Sequence, residues 1–284
     1  MSASVHTLSK FQQQILSGIA MATSPRLWAN PPGNSPLPLP TGPMFFSSSE
    51  LSEMNFPKMP DSDSIDLAGL REYIGNFTLE NGKSVKDLID LEKRRPLLIC
   101  GELANPYRLC DLMAPDMPLI PIRLENICRT WADNLDARDV QPGIHHVTIV
   151  RSPGWWERSF ITLLELPDMK KLVSWLDGPQ SNTWAPKRLG EGVIRLENDM
   201  ELLPPNLEEI SWDGIEEKVE VQIPQANGPS LDLSTIMVPI NTRSGCYNSR
   251  GRVIRCAHFP QTEFHEKLFR RGSSFKWDQM LSYL

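Results

Sequence analysis

Near the C-terminus, Cys256 and His258 stand one residue apart, a spacing that lets a single turn offer a metal ion a thiolate and an imidazole. Cys246 and His265 flank the pair. The four together, in the order Cys-x9-Cys-x-His-x6-His, could complete an unconventional tetrahedral zinc site. Other chemistry overlaps it. Cys246 and Arg252 bracket five residues, the arrangement in which loop amides and an arginine hold an oxyanion and lower a thiol pKa. Such loops leave a buried strand and open a helix. Here Asn-Thr-Arg-Ser-Gly precedes the cysteine and β-forming residues follow it, so an incidental loop cysteine is the better reading. The surroundings are basic, with eight Lys or Arg against two Glu between Arg243 and Lys276. The stretch 250–255 suits an acidic partner, or is a solvated loop.

The elements that must position these residues differ along the chain. Residues 1–60 hold nine prolines, ten serines and only five charged residues, which predicts a disordered tail. Over 61–95 apolar residues recur at helical spacing around Asn81-Gly82, which predicts a helical hairpin. From 96 to 233 short extended runs prevail, at 146–150, 160–164, 172–175, 192–196, 210–212 and 218–223. They are separated by turn signals such as Pro153-Gly154 and Asp213-Gly214 and predict a β-sandwich or barrel. The decapeptides at 166–175 and 203–212 both begin Leu-Pro and end Ser-Trp, with a looser third copy at 120–127. This admits a concave leucine-rich-repeat-like secreted effector, although the spacing is irregular and the asparagine ladder is missing.

The chain has 284 residues and a net charge of -6, so taken whole it is not built to coat nucleic acid. Its apolar runs are far shorter than the ~20 residues of a membrane span, so no membrane association is expected, and no signal peptide is read. Five widely spaced cysteines argue against a disulfide framework. Cys100, Cys110 and Cys128 read as buried thiols of a cytoplasmic or nuclear protein.

Val238-Pro239-Ile240, Arg250-Gly251, Cys256-Ala-His258-Phe259, Phe264, Phe269 and Trp277 follow one another in an order that resembles the SP-RING (MIZ-type) finger of PIAS/Siz SUMO ligases. Upstream, Gly-Glu-Leu-Ala-Asn-Pro at 101–106 and Lys-Arg-Leu-Gly at 187–190, with Pro205-Asn206 and Ile-Ser-Trp at 210–212, look like the family's PINIT domain. The resemblance covers residues 97–282. It implies a mixed, mainly β fold: a PINIT-like β-sandwich over 96–233, then a small RING-like α+β finger over 234–284, its helix near 264–270 packed by Phe264, Phe269 and Trp277.

The resemblance also implies zinc held by Cys256, His258 and two later cysteines. Those two positions are Gln279 and Ser282, neither a good ligand, and Val238 replaces the cysteine of the family's Cys-Pro-Ile. Either Cys246 and His265 complete the site, or the finger holds no metal and rests on its aromatic residues. Pro239, Ile240 and Phe259 would face a SUMO-conjugating enzyme carrying SUMO. Catalysis would then be orientation on nuclear protein substrates, with no catalytic residue of the chain's own. The second expectation is a non-catalytic adaptor that has lost zinc and ligase activity. DNA binding through an N-terminal helix pair is not favoured, because that pair carries acidic residues that nearly match its basic ones.

Overall fold

The computed structural model describes residues 40–48, 50–104, 109, 112–135, 145–177, 183–241, 246–249, 252–268 and 273–275. Its architecture is mainly β, with antiparallel sheets.

Part of the expected tail is ordered. Strands β1 (Met44–Ser47) and β2 (Glu50–Asn55) form a hairpin whose turn holds Ser48 at φ 49°. Met44, Phe45, Phe46, Leu51 and Met54 are buried, and that apolar content outweighs the surrounding serines and prolines. Residues 1–39 lie outside the described residues.

The helical hairpin is only half present. Helix α1 (Leu67–Gly75) is capped by Asp66, whose carboxylate accepts from the Gly69 N–H at 2.8 Å. Strand β3 (Thr78–Leu79) follows and pairs with β2. The second helix, α2 (Val85–Leu88), is a single turn, because Ile89 is already extended. Leu70, Tyr73, Ile74, Phe77 and Val85 bury against the sheet.

The backbone of the fold is a pair of very long antiparallel strands, β5 (Met117–Leu135) and β6 (His145–Leu164). At ~3.4 Å per residue they run for about 60 Å, far beyond an ordinary strand. A bulge divides them. Glu125 pairs with Trp156, but Ile127 pairs with Arg151, so the extra residues on β6 include Pro153-Gly154. The expected turn is thus a kink inside one strand. Asn126 (φ 62°) and Gly154 (φ 76°) both take left-handed conformations there, and the Gly154 N–H donates to Asn126 Oδ1 at 2.9 Å.

Strand β4 (Arg95–Ile99) lines the outer edge of β6. The other edge of β5 meets β1, then β8 (Val193–Leu196), which carries β11 (Ser230–Asp232). Alternation sends Leu98, Ile120, Ile122, Ile161 and Leu163 to the face covered by α1, and Leu97, Ile99, Leu119, Phe160 and Leu164 to the opposite face.

Helix α3 (Leu166–Asp177) covers that opposite face. Residues 172–175 were expected as a strand. The buried residues Met169, Leu172, Val173 and Leu176 repeat at three and four, which is a helical stripe. The matching decapeptide at 203–212 is instead irregular chain, a 3₁₀ turn (Leu207–Glu209) and strand β9 (Ile210–Trp212), so the sequence repeat is not a structural one. Strand β9 pairs with β10 (Glu217–Val219) across the expected Asp213-Gly214 turn, but the run expected at 218–223 is strand only as far as Val219. Strand β7 (Trp184–Lys187) pairs with β12 (Val238–Asn241), and Leu98 N–H donates to Met237 O beside it.

The last described residues join the same body. Strand β13 (Cys246–Ser249) pairs with β14 (Arg252–Val253), with β15 (Ser273–Phe275) and, at Ala132, with β5. A turn at 255–259 leads to helix α4 (Gln261–Glu263), which continues as a π-helical turn over Phe264–Leu268.

Candidate functional site

The turn bearing Cys256 and His258 lies along the edge of β5. Thr130 and Arg255 form an antiparallel bridge, Cys256 N–H donates to Arg129 O at 3.0 Å, and Thr130 Oγ1 donates to Ile254 O at 2.7 Å. From β5 the indole Trp131 Nε1–H reaches Phe259 O at 3.0 Å. The turn closes on itself, with the N–H groups of His258 and Phe259 both donating to Arg255 O at 3.1 Å.

The two metal-ligand candidates have different surroundings. Cys256 is 9% exposed and clusters with Trp131, Val147, Ile254 and Phe264. Burial pushes its thiol well above the ordinary range, against the pull of Arg129. His258 is half-buried. Its Nε2 bonds Pro205 O at 2.8 Å, and its ring meets Trp155 edge to face at 5.4 Å. A carbonyl only accepts, so Nε2 carries the proton and Nδ1 presents a lone pair. That Nδ1 is buried and has no hydrogen-bond partner among the described residues. Burial lowers the His258 pKa, only partly offset by the Pro205 carbonyl.

Two buried ion pairs underlie the turn. Arg129 gives Glu157 Oε1 both its backbone N–H (2.7 Å) and its Nε (3.2 Å). Arg255, 2% exposed, holds Ser152 Oγ at 2.8 Å and Glu217 Oε2 at 2.9 Å, with its guanidinium 4.8 Å from the Trp155 ring centre. Glu217 also accepts from the Val253 N–H and from Arg252 Nε. Cys100 and Cys128 are buried free thiols near these charges, and burial pushes both up to about 12. Cys100, Cys128 and Cys256 are therefore protonated at neutral pH in the metal-free chain, which does not suit a nucleophile.

The other expected site residues are scattered. Pro239 and Ile240 are both buried in β12, with Ile240 in the core cluster. Phe259 is half-buried beside Trp131, and Phe264 is fully buried, stacked on Trp131 at 6.0 Å and edge-on to His145 at 4.8 Å. Cys246 and His265 are placed by their backbone, in β13 and in the π-helical turn; their side chains lie outside the described residues, as do Phe269, Trp277, Gln279 and Ser282. Cys246 faces Ala132 while Cys256 faces Arg129, which separates their backbones by ~10 Å along β5.

A zinc site needs a convergent third and fourth donor. Among the described residues no group of three or more His, Cys, Asp or Glu is placed to hold a metal ion. His258, with Nε2–H on a carbonyl and Nδ1 open, has the form of a ligand, but no third donor converges on it and Cys256 among the described residues, so these do not fit zinc, and no chemical step is assigned to it. Of the partners that define this site, Pro205 was named only as part of the PINIT-like pattern, and Arg129, Ser152, Glu157, Trp155 and Glu217 were not singled out from sequence. The signal available was charge inside extended apolar runs. No family model matches the chain, and no curated protein or solved structure matches it.

Proposed function

We propose that this chain is a non-catalytic protein-interaction module of the PIAS/Siz ligase type, an adaptor of nuclear proteins whose C-terminal segment is held by packing instead of zinc. The observation that carries this reading is the packing around Cys256, whose side chain lies in an apolar cluster with Trp131, Val147, Ile254 and Phe264, with Phe259 and Leu268 packed against it. The Trp131, Phe259 and Phe264 contacts supply the cohesion that metal supplies in a small finger, where it is worth about 10–16 kcal/mol. Pro239 and Ile240 are buried, so neither side chain is open to a conjugating enzyme. On this reading residues 96–233 are a PINIT-like body and 234–284 a finger remnant.

The test is metal content of the purified full chain, together with reconstituted SUMO transfer. The adaptor reading expects no stoichiometric zinc, a melting temperature unchanged by a chelator, and no stimulation of transfer. One zinc per chain, with stimulated transfer that Cys256→Ser abolishes, would establish a ligase instead.

A further inference from the structure

Deepening that reading, and resting on its metal-free packing, we infer that residues 252–268 form a strap that opens and closes on the body as one unit, with the Glu217 carboxylate as its catch. Glu217 stands on β10 and meets the strap at three points. Its Oε2 accepts the Val253 N–H at 3.2 Å and pairs with Arg255 Nη2 at 2.9 Å, and its Oε1 pairs with Arg252 Nε at 3.3 Å.

Elsewhere the strap is held by single contacts. Cys256 N–H donates to Arg129 O, Thr130 Oγ1 to Ile254 O, Trp131 Nε1–H to Phe259 O and His258 Nε2–H to Pro205 O. The N–H groups of His258, Phe259 and Phe264 are spent inside the strap, on Arg255 O and Pro260 O. The apolar cluster beneath it, Trp131, Val147, Ile254, Cys256 and Phe264, is separate from the two main cores. A segment seated on its own small cluster can open without the rest of the molecule.

Charge makes Glu217 the decisive contact. Arg255 is 2% exposed, and Glu217 is the one acid paired with it among the described residues. Ser152 Oγ and the Trp155 ring are neutral, and Arg255 Nε and Nη1 have no hydrogen-bond partner among the described residues. Without the carboxylate a buried cation is left uncompensated, and opening the strap returns it to water. Arg252 is the outer contact, 42% exposed, so the catch can be loosened there while Arg255 stays paired. Opening leaves the Arg129 carbonyl, the Thr130 hydroxyl and the Trp131 Nε1–H without these partners, and the strap recloses unless another segment takes them.

The test is hydrogen–deuterium exchange of the full chain, read at peptides covering 252–264. Glu217→Gln keeps the shape and removes the charge. It should speed exchange across 252–264 at least about tenfold, while peptides covering 120–124, inside the main sheet, keep wild-type rates. Arg252→Gln removes the outer contact alone and should speed exchange in the same peptides about threefold. The control, Glu216→Gln, lies on the same hairpin with an exposed side chain and should change rates by less than about twofold. Wild-type rates across 252–264 in Glu217→Gln, or equal acceleration throughout the chain, would overturn the strap. Should Glu217→Gln not fold, Arg252→Gln decides in its place, and wild-type rates in that variant overturn the strap. Release of 252–264 by a chelator alone would defeat the metal-free reading, a failure distinct from that of the catch, which the Glu217 and Arg252 variants decide.

Discussion

Replacing Cys256 by alanine and by serine separates a packing thiol from a liganding one. The side chain sits among Trp131, Val147, Ile254 and Phe264, with no hydrogen bond to any described residue. Alanine removes one sulfur from that cluster. The transfer loss for a methylene-sized group is about 0.8 kcal/mol, and the residual cavity brings the total to about 1–2 kcal/mol. Serine preserves more of the volume but places a hydroxyl where nothing accepts from it, at about 1–3 kcal/mol beyond the lost apolar contact. Serine is therefore expected to be the worse substitution by roughly 1 kcal/mol. A zinc ligand predicts another pattern: alanine and serine fall together, both by much more, and a chelator destabilises only the wild type. Urea denaturation followed by the fluorescence of the eight tryptophans, with and without chelator, measures this. Limited proteolysis alongside it detects local release of residues 252–268 ahead of global unfolding. Serine equal to or milder than alanine, or a chelator-sensitive wild type, would refute the packing argument.

At His258, burial lowers the pKa below the ordinary 6.5, so on acidification the unfolded chain takes up a proton that the folded chain resists. The contribution is whole above that ordinary value and is lost as pH falls through the lowered one. Between about pH 7.5 and about pH 5.5 the urea midpoint of wild type should drop more than that of His258→Gln, and parallel profiles would remove His258 as the cause. Cys100, Cys128 and Cys256, all pushed up by burial, should resist iodoacetamide at about pH 8 in the native protein and react in denaturant. Peptide mapping that finds any of them modified within minutes would contradict their placement. Gly192 has φ 89°, and a methyl there would come within 2.4 Å of Ile127 Cγ1 and 2.7 Å of Leu233 Cδ1. Gly192→Ala should cost about 2–4 kcal/mol in urea unfolding; a loss below ~0.5 kcal/mol would mean that the core beside β8 yields readily.

Alternation and turn residues made parts of β6, all of β8 and the β9–β10 hairpin at Asp213-Gly214 legible, because those signals are local. Elsewhere local signals misled. Residues 172–175 look extended when taken alone, yet Met169, Leu172, Val173 and Leu176 need a helix to reach the core together. Pro153-Gly154 carries turn chemistry that a long hairpin spends on a bulge. The serine- and proline-rich surroundings of 44–55 hid a hairpin whose partner, β5, lies more than sixty residues onward.

At the candidate site, residue type and spacing by themselves picked out Cys256 and His258, together with their aromatic neighbours Phe259 and Phe264. What those groups can do was decided only in three dimensions. Trp131 meets Phe259 across 128 positions, Arg255 meets Ser152 across 103, and His258 meets Pro205 across 53. A thiol's proton affinity and an imidazole's free lone pair depend on the dielectric and the donors around them. Composition states which ionisable groups a chain owns; the packing of distant strands determines whether they are buried, paired or left open to a ligand.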